Sequence, residues 1–324
     1  MWSLIWDSCI WLLKAYVAFR IIKALYIVVL SIYGHFFCKE LDLDPYKASW
    51  TVVTGCTDGI GRAYVLELAR KRGMRKFYLI GRNQAKLDCI AGELTEKYSC
   101  IVRTAKFDFE NHTYENLPAE LSELPVGILI NCAGIAPERV ANFAELPEGL
   151  PSKILRVNLM SAVKMIELIL PGMIKRDLGI VVTVSSITGW RPLPYLSTYP
   201  ASKAALSFFS DSLADEFKNT NVKFQCLIPF LVATKIASYE TEGADNILVI
   251  DPTTYARQAV HVIGQWRLST GCFLHDMQIA FGVLVGFSLF KTIFVPFGLL
   301  GIHKKRVDTY RSKIEASGTY EKLD

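Results

Sequence analysis

Trp50-Thr51-Val52-Val53-Thr54-Gly55-Cys56-Thr57-Asp58-Gly59-Ile60-Gly61-Arg62 sets the frame for the rest of the chain. Its first five residues are rich in β-branched side chains and read as a strand. Glycines recur at 55, 59 and 61, and a helical pattern follows through Arg72 with Tyr64, Leu66, Leu68 and Ala69 as its apolar members. Strand, glycine turn and helix in that order suit a dinucleotide. Glycine lets the backbone turn sharply and approach a pyrophosphate, and the helix N-terminus offers N–H groups and the positive end of its dipole. The spacing is Gly-x-x-x-Gly-x-Gly rather than Gly-x-Gly-x-x-Gly. A purely structural strand-to-helix turn is the competing reading.

Outward from this turn the same alternation continues. Lys76 to Ile80 reads as a second strand ending in Gly81-Arg82-Asn83. An acidic residue there would take the ribose hydroxyls of NAD, whereas Arg82 favours the extra phosphate of NADP. A helix is expected from Gln84 to Tyr98 and a strand from Ile101 to Lys106, with Asp108 just beyond it, placed to accept a bond from an adenine amine. Val126-Gly127-Ile128-Leu129-Ile130 is an unbroken apolar run, as in a central parallel strand covered on both faces. It ends in the small turn Asn131-Cys132-Ala133-Gly134. Strands alternating with helices predict an α/β fold: a doubly wound, mostly parallel Rossmann sheet forming a single domain over 46–276.

The second half carries the chemistry. A helix is expected from Leu150 to Lys175, with Asn158 in an apolar setting where its amide must find partners. The strand Gly179 to Val184 delivers Ser185-Ser186 at its C-terminal end, the rim where open α/β sheets bind ligands. Thr198-Tyr199-Pro200-Ala201-Ser202-Lys203 then opens another helix. Tyr199 and Lys203 lie at i, i+4 on one face. A free phenol titrates near ~10, and a nearby ammonium is expected to draw it toward the working range and make it a general acid for a carbonyl oxygen. Alone, such a pair is an ordinary surface Lys beside a half-buried Tyr.

The chain resembles the short-chain dehydrogenase/reductase family across about Trp50 to Asp276. The matching residues, in family order and spacing, are Thr54-Gly55…Gly59-Ile60-Gly61, Asn131-x-Ala133-Gly134, Asn158, Ser186 and Tyr199-x-x-x-Lys203. Thr57-Asp58, Ile80-Gly81-Arg82-Asn83 and Leu227-Ile228-Pro229-Phe230-x-Val232-Ala233-Thr234-Lys235 look like the membrane-bound 17-beta-hydroxysteroid dehydrogenase / very-long-chain 3-oxoacyl-CoA reductase branch. The resemblance implies reduction of a lipidic ketone with NADP(H) in the endoplasmic reticulum membrane, the catalytic domain facing the cytosol. It assigns Tyr199 as general acid/base, Lys203 as ribose binder and tuner of the Tyr, Ser186 as partner of the carbonyl, and Asn158 as anchor of a proton-relay water. It implies cofactor contacts from Gly55, Thr57, Asp58, Gly59, Ile60, Gly61, Arg82, Asp108, Asn131, Ala133, Gly134, Tyr199, Lys203 and Thr234. It also allows a homodimer through the long helices carrying Asn158 and Lys203. Two positions depart from the family pattern: Cys132 replaces the usual second Asn, and Phe230 follows Pro229 where most members have Gly. The alternative from another class is a catalytically weak or inactive, membrane-tethered nucleotide-binding interaction protein.

The 324 residues are 51% apolar with a net charge of +5 and no basic stripe, which argues against a nucleic-acid partner. The eight cysteines show no metal-ligand spacing and read as reduced thiols, and no metal is expected. Cys9 to Phe37 is strongly apolar apart from Lys14, Arg20 and Lys23, and reads as a retained membrane anchor within segment 1–45. After Tyr199 the expected elements are a helix from Lys203 to Asn219, a strand from Lys223 to Ile228, and an irregular Pro229–Ile250 stretch that suits a lid over a hydrophobic substrate. A helix from Pro252 to Trp266 and a last strand from Gly271 to His275 follow. Met277 to Ile302, within segment 277–324, is apolar around Lys291 and reads as a second span, an interfacial segment or a wall of a lipid pocket. Lys304-Lys305-Arg306 then suits an anionic membrane surface.

Overall fold

A computed structural model describes residues 2–137, 142–190, 192–237 and 248–286. The strands are β1 (Trp50–Thr54), β2 (Lys76–Gly81), β3 (Ile101–Lys106), β4 (Val126–Asn131), β5 (Gly179–Val184), β6 (Val222–Leu227), β7 (Leu231–Val232), β8 (Val249–Ile250) and β9 (Leu268–Ser269). The helices are α1 (Trp2–Ile32), α2 (Gly59–Lys71), α3 (Gln84–Tyr98), α4 (Leu150–Leu155), α5 (Ser161–Arg176), α6 (Thr198–Glu216), α7 (Pro252–His261) and α8 (Phe273–Val285). Seven strands form one parallel sheet in the order β3-β2-β1-β4-β5-β6-β9, while β7 and β8 pair separately.

The apolar runs are satisfied on both faces. Val53, Ile128, Ile130, Ile180 and Val182 meet α2, α3 and α7 on one side. Val52, Leu129 and Val181 meet α5 and α6 on the other. Successive residues therefore enter opposite cores, which is why these strands carry no polar face. The strand order reverses between β1 and β4, and ligands of such sheets bind outside the carboxyl ends at that point.

Three boundaries differ from the sequence reading. The long helix from Leu150 is interrupted by a π turn at Arg156–Met160, which presents Asn158. The expected strand at Gly271–His275 is instead the turn into α8, and the last strand lies earlier, at Leu268–Ser269. Gly271 has φ +82, and a Cβ there would stand 2.6 Å from the Tyr255 hydroxyl, so the chain turns rather than extends. Helix α7 closes at His261, short of Trp266, where Val262 and the left-handed Gly264 (φ +68) end it.

The apolar N-terminus forms α1 and continues as a π turn at Tyr33–Phe37. The stretch Ile5–Phe37 is long and apolar enough to cross a membrane, and most of its large hydrophobic side chains are exposed. Leu150–Arg176 passes the same length and composition test, but its apolar residues Met165, Ile166, Ile169 and Met173 are buried against the sheet. Beyond the π turn at Tyr33–Phe37, Glu40 ties the chain to α2 and α7 through Lys71 (3.0 Å), Arg72 (3.6 Å) and His261 (2.9 Å). All eight cysteines are free. The middle of the expected lid (238–247), Lys291, Lys304-Lys305-Arg306 and the rest of 287–324 lie outside the described residues.

Candidate active site

The glycine turn is shaped by contacts that no larger residue permits. A Cβ on Gly61 would stand 2.2 Å from the Gly55 carbonyl oxygen. Gly55 has φ +66, and its Cβ would stand 2.7 Å from the backbone of Cys132 and Ala133. Asp58 caps α2, its Oδ1 accepting from the Gly59 N–H at 2.8 Å. Across the turn, the Thr234 methyl stands 2.9 Å from the position of a Gly59 Cβ, and Lys235 pairs with Asp58 at 3.4 Å. The sequence reading omitted Thr54 from the site. Its hydroxyl accepts from the backbone N–H groups of both Cys132 and Ala133 at 3.2 Å, fixing the turn after β4 against β1.

This cradle fits a dinucleotide. Backbone is brought together at Gly55 and Gly61 with no side chain in the way, next to the N-terminus of α2. Thr57 and Ile60 lie half-buried along the same turn. Asn131 sits at the end of β4, buried, with both amide atoms lacking a partner among the described residues. Arg82 projects from the end of β2, mostly exposed, with its guanidinium 3.6 Å from Glu110. Asp108 stands where the sequence places it. It stands past β3, but its carboxylate accepts from the Glu110 N–H (2.9 Å) and the Asn111 amide (2.7 Å), so it holds its own loop. Among the described residues no cluster of His, Cys, Asp or Glu is arranged to hold a metal.

Ser186, Tyr199, Lys203 and Asn158 converge on one end of the sheet. Helix α6 begins at Thr198, so Tyr199 lies in its first turn and Lys203 one turn on. The Lys203 Nζ stands 5.8 Å from the centre of the Tyr199 ring and donates to the Val184 carbonyl at 2.9 Å. The Ser186 hydroxyl accepts from the Thr188 hydroxyl at 3.0 Å and lies near enough to the Tyr199 phenol to lower its pKa. Asn158 accepts from the Ile135 N–H (2.7 Å) and donates to the Ile135 carbonyl and the Ser202 hydroxyl, each at 3.0 Å. Its side-chain amide is thus a clamp on the backbone beyond Gly134. A Cβ on Gly134 would meet both the Asn158 Oδ1 and the Lys203 Nζ at 3.5 Å, which marks how closely the three residues meet.

One expectation of the sequence is reversed. Burial pushes the Tyr199 phenol up to about 12, with the Ser186 hydrogen bond acting in the opposite direction. Lys203 is not among the causes of this shift; it is itself buried, and burial pushes its ammonium down to about 8. Tyr199 is half-buried, whereas Lys203 is 5% exposed. The phenol is therefore protonated at neutral pH, the form a proton donor needs.

The short chain dehydrogenase model matches residues 49–245. The chain is 48% identical over 233 residues to an uncharacterized oxidoreductase, dhs-27, of Caenorhabditis elegans, a match covering 69% of this chain but only 28% of that longer one. It is 36% identical over 266 residues to a very-long-chain 3-oxoacyl-CoA reductase of Bos taurus (81% of this chain, 83% of that one). It is also 36% identical over 246 residues to an inactive hydroxysteroid dehydrogenase-like protein 1 of Pongo abelii (75% and 74%). Among solved structures, a short-chain dehydrogenase from Sphingobium yanoikuyae in complex with NADPH shares the fold (TM-score 0.59, 20% identity, 85% of this chain and 97% of that one). The protein is an oxidoreductase of the short-chain dehydrogenase/reductase family. Within that family it falls in the branch that holds the very-long-chain 3-oxoacyl-CoA reductases and their hydroxysteroid dehydrogenase-like relatives.

Proposed function

We propose that the protein reduces a lipidic ketone with NADP(H) at the endoplasmic reticulum membrane, with its sheet domain on the cytosolic side. A very-long-chain 3-oxoacyl-CoA is the substrate favoured by the names of its relatives, and a 17-keto steroid is the other member of the class. The observation that carries the reading is the meeting of Ser186, Tyr199 and Lys203 beside the glycine cradle. When bound, the nicotinamide supplies hydride to the carbonyl carbon. The Ser186 and Tyr199 hydroxyls hold the carbonyl oxygen, and the Tyr199 proton passes to it. Lys203 would hold the ribose of the cofactor and ties α6 to the Val184 carbonyl. Arg82 would face the 2′-phosphate and Thr234 the nicotinamide side.

The second reading is nucleotide binding without turnover, favoured by the relative described as inactive. One experiment separates them. Membranes carrying the full chain are assayed for NADPH oxidation with long-chain 3-oxoacyl-CoA esters and with steroid ketones, alongside Tyr199→Phe. Turnover with one class, reduced at least ~100-fold in the variant while NADPH affinity holds, supports the enzyme. No oxidation with either class, or full turnover in Tyr199→Phe, overturns it.

A further inference from the structure

Arg20 lies deep within the apolar α1, three turns of helix before Ser31. That separation is roughly 16 Å along the axis, about half the hydrocarbon thickness of a bilayer. A cation at that depth costs several kcal/mol unless it is paired. Its guanidinium donates to the backbone carbonyl of Val283, in the last turn of α8, and to the Tyr16 hydroxyl at 2.6 Å, and it stands 5.4 Å from the centre of the Tyr16 ring. Helix α8 closes at Gly286 (φ +105), where a Cβ would lie 3.1 Å from the Arg20 guanidinium.

Helix α8 is apolar, packs against α1, and is only 13 residues long. That is about 20 Å, too short to cross a bilayer. Its far end exposes Phe281, Leu284 and Val285 beside the exposed apolar surface of α1. Its near end is polar. Asp276 accepts from Ser31 (2.7 Å) and Thr270 (2.6 Å) and pairs with His35 at 3.1 Å. The pair of helices thus has a polar junction at the domain and an apolar surface below it. The last carbonyls of a helix ending in hydrocarbon have no water to satisfy them, and a helix end attracts a cation.

We propose that α8 enters the bilayer beside α1 and ends inside it, with Arg20 capping the Val283 carbonyl in its last turn. Each group answers the other's need: the guanidinium gains acceptors, and the helix end gains a donor. The partner of this surface is the lipid hydrocarbon. The proposal rests on the anchor reading of α1 and on no step of the chemistry.

The test uses the full chain in lipid nanodiscs, with a water-soluble maleimide and site-resolved mass spectrometry. Leu284→Cys probes α8 and Leu25→Cys probes α1. Both positions are exposed on the protein, so protection must come from lipid, and the exposed native Cys89 of α3 is the reference. Positions 25 and 284 are expected to react at least tenfold more slowly than Cys89 and to match it in mild detergent. Adding Arg20→Leu should free position 284 while position 25 stays protected, and Arg20→Lys should keep both slow. If position 284 reacts like Cys89 while 25 is protected, α8 lies outside the bilayer and the proposal falls alone. If Arg20→Leu leaves 284 protected, the cap falls. If position 25 is itself reactive, the anchor reading falls and takes the proposal with it.

Discussion

Replacing Lys203 with Met is expected to make the nucleotide-free protein more stable at neutral pH while removing its turnover. The lysine is 5% exposed, and burial pushes its ammonium from 10.5 down to about 8. Each pKa unit is worth about 1.4 kcal/mol, so the folded state carries a cost of about 3 kcal/mol while the lysine is charged in both states. The folded value lies below the unfolded one, so the cost is full below about pH 8. It fades as pH rises toward 10.5, where the unfolded chain loses the same proton. Methionine removes the charge at similar length but leaves the Val184 carbonyl without its donor, a loss of about 1 kcal/mol. The net expectation is a gain of about 2 kcal/mol at pH 7, on the order of 5 °C in Tm.

Above pH 10.5 the charge cost is gone and only the lost hydrogen bond remains, so the variant becomes the less stable form. Unfolding followed by calorimetry in nanodiscs from pH 6.5 to 10.5, for both proteins, reads the difference directly. A variant less stable at pH 7, or a difference that stays flat across this range, refutes the account of Lys203 as a cation held against its solvation preference.

The turn and the selectivity give further outcomes. Gly61→Ala places a Cβ 2.2 Å from the Gly55 oxygen, so nucleotide affinity by calorimetric titration should fall at least about tenfold with some loss of Tm; affinity within twofold of the native value would show that the turn relaxes freely. Arg82→Ala should reduce the kcat/KM preference for NADPH over NADH at least about tenfold, and an unchanged ratio removes Arg82 from phosphate recognition.

The sheet was legible because its evidence is local. Unbroken apolar runs, such as that ending at Ile130, announce strands covered on both sides, and the glycines at 55, 59 and 61 mark the turn. What escaped was set by contacts distant in sequence. The π turn at Asn158 depends on the clamp to Ile135, and no residue type in Arg156–Met160 signals it. The role of Thr54 depends on the backbone of Cys132 and Ala133, 78 and 79 residues away. The titration of Tyr199 was misjudged because an i, i+4 spacing reports proximity and not burial, and burial governs both members of the pair.

The two departures from the family pattern are explained by the same network. Cys132 keeps the contact that matters there, since its backbone N–H bonds to Thr54 and any residue supplies that donor. Its sulfur fills space 3.3 Å from where a Gly61 Cβ would lie. Phe230 faces the other way: its N–H donates to His275 Nδ1 at 3.3 Å and its ring lies 5.6 Å from the His275 ring, in the first turn of α8. The α6 machinery, meanwhile, is hooked to three consecutive residues at the end of β5. Val184 accepts from the Lys203 ammonium, Ser185 donates to the Lys203 carbonyl at 2.6 Å, and Ser186 meets the Tyr199 phenol. Tyr199 is thus fixed to the rigid sheet, while the segment that begins at Phe230 is fixed to α8, which packs on α1. Glycine at 230 would preserve the first of these attachments and remove the ring contact of the second, so the departure belongs to how this chain couples the segment after β6 to α8 and leaves Ser186, Tyr199 and Lys203 untouched.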